Sequence, residues 1–187
     1  MGQRELLLYL VMLLNRFHIP YLLTGGFAVS FYGKPRSTND IDFIIEVVEK
    51  QRSNFERLID TLDPEFIYQK NSILKLGNQV TEFNFMYLKT AIKVDFWVRS
   101  INEFQEKYQR RHIMHIENQI VDLVSAEDLI LTKLRWCNEI FSDRHFIDCV
   151  GMWQIQGRKL DKNFLETEAI KLGLKQLLHE VTTFPTG

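Results

Sequence analysis

Arg36-Ser37-Thr38-Asn39-Asp40-Ile41-Asp42-Phe43-Ile44-Ile45-Glu46 runs from a charged loop into the strongest apolar strand of the chain. The β-branched residues from Ile41 to Val48 predict that strand, and Asp40 and Asp42 open it. Residues i and i+2 of a strand face the same way, with Cα atoms roughly 6.6 Å apart, so both carboxylates point to one side. A third acid, Asp95, lies within Lys93-Val94-Asp95-Phe96-Trp97-Val98, among apolar residues that read as a second strand. If the two strands pair, three carboxylates share a small volume. Two unit charges about 6 Å apart at an effective dielectric of about 20 repel by roughly 3 kcal/mol, and a bound divalent cation removes that cost. Oxygen-only ligands with open positions suit Mg²⁺ held partly by substrate phosphates. The dyad alone carries little weight in a chain with ten aspartates, because an acid at a strand start is ordinarily a surface charge.

Upstream, Leu6, Leu7, Leu10, Leu13, Leu14 and Phe17 recur at helical spacing, and Pro20 ends the helix they predict. Tyr21-Leu22-Leu23-Thr24 reads as a short buried strand closed by Gly25-Gly26, and Phe27 to Tyr32 as one or two helical turns. Two glycines after a strand let the backbone approach a ligand, and the helix that follows offers N–H groups to phosphate. No Walker loop occurs: Gly33-Lys34-Pro35 has the wrong spacing and no hydroxyl. Downstream, Glu49 to Leu62 reads as a helix stopped at Asp63-Pro64. The texture is then β, with strands at Thr81–Leu88 and Ala91–Val98 and weaker ones at His112–Ile116 and Gln119–Leu123, around a polar stretch containing Lys107, Arg110 and Arg111.

From Ser125 onward the pattern is helical. Ser125-x-x-Asp128 resembles a capping box, and its helix is expected to carry Ala126, Leu129, Ile130, Lys133, Leu134, Cys137 and Phe141 along one face. Lys133 on an apolar stripe calls for a partner. Further helices are expected near Asp143–Gln156, Asp161–Leu172 and Leu174–Val181. The class is α+β: a mixed sheet flanked by helices over residues 1–124, with an all-helical portion over 125–187 packed on it.

The 187 residues carry 23 Lys+Arg against 24 Asp+Glu, with 45% hydrophobic and 25% charged residues. That mix excludes disorder and argues against a protein that lives on non-specific nucleic-acid contacts. Cys137 and Cys149 cannot form a disulfide scaffold, and the apolar run Leu6–Leu14 is too short to span a bilayer. A cytoplasmic location without membrane attachment is the expectation.

Taken in order, Gly25-Gly26, then Arg36-x-Thr38-x-Asp40-x-Asp42, then Asp95 in an apolar strand, resemble the nucleotidyltransferase superfamily of DNA polymerase β. The Arg-x-Thr before the acids is similar to that of its tRNA-nucleotidyl-transferring and antibiotic-modifying branches. Asp128-Leu129-Ile130-Leu131-Thr132-Lys133-Leu134, followed by Ser142-Asp143-Arg144-His145-Phe146-Ile147-Asp148, looks like the later motifs of AbiEii-type and related small nucleotidyltransferases. The resemblance implies that Asp40, Asp42 and Asp95 hold Mg²⁺, and that Gly25, Gly26, Arg36, Thr38, Lys133 and Asp148 contact the nucleotide. It implies transfer of an NMP from an NTP to an acceptor hydroxyl on a small molecule, an RNA or a protein, with release of pyrophosphate. A partner protein or a homodimer is compatible with it. The turn is Gly-Gly and not Gly-Ser, so no side-chain hydroxyl supplements its backbone donors.

Other chemistries fit less well. His112-x-x-His115 puts its rings on opposite faces of a strand, His145 and Cys149 are only two ligands, and no nucleophile elbow occurs. The alternatives to an active transferase are a fold-sharing protein that binds nucleotide or a partner without transfer, and a toxin-like enzyme acting on tRNA. A basic surface at Lys107, Arg110 and Arg111 beside the acids would favour RNA; an enclosed neutral pocket would favour a small molecule.

Overall fold

The computed structural model describes residues 1–46, 52–69 and 82–185. The expected end of the Ile41–Val48 strand, the start of the Glu49–Leu62 helix and the first residue of the Thr81–Leu88 strand lie outside those residues. Backbone contacts divide the chain into two compact units, Met1–Gly26 with Thr38–Val124, and Phe27–Ser37 with Ser125–Gly187. The first unit therefore omits residues 27–37, which the sequence grouped with it.

Among the described residues, the first unit has seven strands: β1 (Tyr21–Thr24), β2 (Asp40–Glu46), β3 (Phe66–Tyr68), β4 (Glu82–Tyr87), β5 (Ile92–Arg99), β6 (His112–Ile116) and β7 (Gln119–Leu123). They form one mixed sheet in the order β3-β4-β5-β2-β1-β7-β6. β2 runs parallel to β5 and antiparallel to β1, while β1 runs parallel to β7. Ile41, Phe43 and Ile45 of β2 and Val94 and Phe96 of β5 are all buried on one face. There Phe96 stacks on Phe43 and Phe83 at 5.4 and 4.9 Å between ring centroids. Burying each such ring contributes about 1.5–3 kcal/mol, so the core face fixes the register of β2, and a one-residue slip would bury the acids instead.

Among the described residues, three helices lie wholly in this unit: α1 (Gln3–Arg16), α3 (Arg52–Thr61) and α4 (Ile101–Gln109); α2 (Gly25–Tyr32) begins in it. Helix α4 occupies a stretch that the sequence marks only as polar, between strands. Ser100 caps it, accepting the Glu103 N–H, and Phe104 is fully buried. Ser100-x-x-Glu103 is a capping-box sequence, so the signal was present and the surrounding charges masked it.

The second unit holds α5 (Ala126–Glu139), α6 (Asp143–Gln156), α7 (Lys162–Lys171), α8 (Lys175–Thr183) and most of α2. Ser125, Ser142 and Asp161 cap α5, α6 and α7 through side-chain oxygens, each satisfying a backbone N–H that the helix leaves without a partner. Leu129, Ile130, Leu134, Cys149, Met152, Leu165, Ala169 and Val181 of this unit are buried. Among the described residues, no helix is long and apolar enough to cross a membrane.

Candidate functional site

Cross-strand register gathers the acids. Asp42 is the Cα partner of Asp95 in the parallel β2–β5 pair, Asp40 is the partner of Lys93, and Thr24 is the partner of Asp42 on the other side. Side chains at paired positions share a face, so Asp40, Asp42 and Asp95 stand together opposite the aromatic core, as the sequence predicts. Had Asp95 faced the core, the three could not have met.

The turn before α2 explains its glycines. Gly25 has φ +65°, in the left-handed region, and a Cβ there would overlap the Asp42 carboxylate. A Cβ at Gly26 would overlap Thr38. The Asp42 and Thr38 side chains thus lie directly over the bare Cα atoms, and any larger residue would push them away. The turn is shaped to receive these two side chains.

Each remaining acid has a local partner. Asp40 Oδ1 accepts the Thr38 hydroxyl at 2.8 Å and the Asn39 backbone N–H at 3.1 Å. Thr38 is itself anchored, its carbonyl accepting the Gln3 side-chain amide at 2.7 Å. Lys93 Nζ lies 2.7 Å from Asp95 Oδ1. That contact holds the Lys93 ammonium above its usual pKa, the Asp95 hydrogen bond being the largest cause. Among the described residues, no three His, Cys, Asp or Glu side chains close into a group that could hold a metal ion. Three carboxylates on one face are oxygen donors of the kind a hard divalent cation takes.

Lys133, Asp148 and Arg36 meet in the second unit. Lys133 is 2% exposed and Asp148 6%, so the lysine is buried rather than snorkelling to the surface. Lys133 Nζ lies 2.9 Å from Asp148 Oδ2. Arg36 donates to the same carboxylate through Nε (2.8 Å) and Nη2 (2.9 Å), a bidentate fork. Burial alone would raise the Asp148 pKa, but the Arg36 hydrogen bonds and the Lys133 charge outweigh it and hold the carboxyl below its usual range. His145 Nδ1 lies 3.4 Å from Lys133 Nζ, and its ring packs on Trp136. Burial, then the Lys133 charge, lowers the His145 pKa, which favours neutral imidazole accepting from the lysine. Sequence reasoning had weighed His145 only as a metal ligand; its place beside Lys133 comes from one helical face of α6 carrying both His145 and Asp148.

The basic stretch in the first unit is partly neutralised. Arg111 Nε donates to Asp122 Oδ1 at 2.9 Å, the Tyr108 hydroxyl donates to Asp122 Oδ2 at 2.9 Å, and the guanidinium stacks over the Tyr108 ring. Helix α4 also follows the C-terminal end of β5, whereas the acids lie toward the N-terminal ends of β2 and β5.

A family model described as "Nucleotidyl transferase AbiEii toxin, Type IV TA system" matches residues 7–181. Among solved structures, one similar chain is ANT(2″)-Ia in complex with adenylyl-2″-tobramycin, with TM-score 0.63 and 14% identity over 94% of this chain and 99% of that one. Another is the lincosamide antibiotic adenylyltransferase LnuA bound to lincomycin, with TM-score 0.56 and 14% identity over 82% of this chain and 98% of that one. A third is an antigenic nucleotidyltransferase-like protein from Paracoccidioides brasiliensis, with TM-score 0.56 and 17% identity over 93% of this chain and 88% of that one. At these identities the likeness shows the shared nucleotidyltransferase fold. No curated protein matches in sequence.

Proposed function

The chain belongs to the AbiEii nucleotidyltransferase family, and from that membership we propose that it transfers a nucleoside monophosphate from an NTP to an acceptor hydroxyl, releasing pyrophosphate. One observation carries the reading: β2 and β5 bring Asp40, Asp42 and Asp95 to one face, with Gly25 directly beneath the Asp42 carboxylate. Asp40, Asp42 and Asp95 would hold Mg²⁺, which when bound supplies positive charge to the phosphoryl oxygens and lowers the pKa of the attacking hydroxyl. Thr38 sets the direction of Asp40 through its hydroxyl. The α2 N-terminus, opened by Gly25 and Gly26, offers backbone N–H groups of the polarity that phosphate requires.

In the second unit, Arg36 and Lys133 bring two cationic side chains to the Asp148 carboxylate. We assign these cations to the nucleotide phosphates. Positioning and charge neutralisation supply most of the rate in such a reaction.

ANT(2″)-Ia and LnuA are described with antibiotics, and the pairing of Arg111 with Asp122 reduces the basic surface available to RNA. Both observations favour a small-molecule hydroxyl as acceptor. The test is incubation of the protein with each labelled NTP and a cell extract, reading pyrophosphate and the labelled product. The wild type is expected to release pyrophosphate only with a divalent cation, and Asp40→Asn with Asp42→Asn to abolish release while leaving the far-UV spectrum intact. Unchanged release from that double variant would remove the assignment. Nucleotide binding without label transfer to any acceptor would point to a binding protein on the same fold.

A further inference from the structure

Lys93 stands opposite Asp40 in the β2–β5 register, yet its ammonium pairs with Asp95, at 2.7 Å. Asp40 is already engaged by the Thr38 hydroxyl and the Asn39 N–H, so Asp95 is the acid left for it. The two partners differ in freedom. The Asp95 side chain is 14% exposed, whereas that of Lys93 is 48% exposed, on a four-carbon stem that can swing into water. Glu82 and Asp40 also act on its charge from further away. An ion pair this exposed is weak enough to exchange.

We propose that Lys93 is a built-in counter-cation of the acid face, seated on Asp95 in place of a divalent ion and displaced from Oδ1 when that ion binds. This rests on the reading of Asp40, Asp42 and Asp95 as the cation site. The lysine lowers repulsion among the three carboxylates when no metal is present. It also weakens metal binding, because the incoming ion must break a charge-assisted hydrogen bond and meets a like charge until the side chain swings away. Lys93 therefore sets the divalent-ion concentration at which the site fills.

The experiment titrates Mn²⁺ into the full chain without nucleotide, reading free Mn²⁺ by electron paramagnetic resonance and the melting temperature in parallel. Lys93→Met is expected to bind Mn²⁺ about tenfold more tightly than the wild type, and Lys93→Arg within about twofold of it. Metal-free Lys93→Met should melt below the wild type, with the gap closing at saturating Mn²⁺. Lys93→Gln, which keeps a polar side chain of similar length, should tighten binding in the same direction. Equal or weaker binding by both Lys93→Met and Lys93→Gln would overturn the proposal and show that the lysine holds Asp95 in place for the ion. No saturable binding in any of these proteins would instead overturn the cation-site reading and this inference with it.

Discussion

Replacing Asp148 by Asn probes the buried network of the helical unit. The carboxylate accepts two hydrogen bonds from Arg36, at 2.8 and 2.9 Å, and one from Lys133 at 2.9 Å. An amide of the same shape keeps one oxygen acceptor, removes the negative charge and aims N–H donors at two cations. Stripping the counter-charge from a buried ion costs about 3–5 kcal/mol. The Arg36 side chain is 24% exposed, so water recovers part of its loss and the lower end, about 3 kcal/mol, is the working figure. For a chain of this size each kcal/mol shifts the melting temperature by about 2–4 °C, giving a fall of roughly 6–12 °C. Thermal and urea unfolding followed by far-UV circular dichroism measures this. Because Lys133→Met also removes the unpaired ammonium, the double variant Lys133→Met/Asp148→Asn should lose at least about 1 kcal/mol less than the sum of the singles. A loss below about 1 kcal/mol for Asp148→Asn, or strict additivity, would refute the view of this carboxylate as the charge centre of the unit.

The acid side of the stability profile should have two steps. The Asp148 pKa is lower folded than unfolded, so its contribution is fully present above about pH 4 and is lost as pH falls through the folded value. His145, which faces Lys133, Asp148, Arg144 and Arg36, also has a lowered pKa; the folded state resists its protonation, so stability falls as pH drops below about 6.5. Melting curves of the wild type and His145→Gln between pH 5 and 8 should show the steeper slope in the wild type, and equal slopes would rule the effect out. Gly25→Ala must place a Cβ on Asp42 and force alanine to φ +65°, which alone costs about 1–2 kcal/mol; lowered stability together with weakened Mn²⁺ binding is expected, and a neutral variant would show that the turn relaxes freely. Cys149 is fully buried with its thiol pKa pushed far up, and Cys137 is buried with its own raised. Neither should react with a thiol reagent in the native protein, and both should react in denaturant.

The acid face was legible because it depends on strand periodicity alone. Asp40 and Asp42 share a face whatever strand lies beside them, and Asp95 needed only the right register, which Phe43 and Phe96 enforce by burial. The glycines were legible as a turn, but their cause was not: no local rule says that Asp42 and Thr38, more than ten residues downstream, fold back over Gly25 and Gly26. Lys133 was marked as needing a partner, and the partner is Asp148, one helix later. That Arg36 joins the same carboxylate, 112 residues away in the chain, is a tertiary fact no window of sequence carries. Lys93 was hidden for the opposite reason. It sits two residues from Asp95 on an exposed position, where a lysine attracts no notice, and only the prior engagement of Asp40 makes its choice of acid informative.

The pairing of Leu23 with Leu123 across the middle of the sheet bears on how the protein emerges from the ribosome. β1 and β2 can hairpin together once Glu46 has been made, but the other flank of β1 stays bare until Leu123 follows. At about 5–20 residues per second that interval is roughly 4–15 s. Throughout it, the nascent chain displays an apolar strand with one open edge, a template for unwanted strand addition. Translation pauses that lengthen the interval should therefore lower the yield of folded protein, while stalls placed after Leu123 should have little effect.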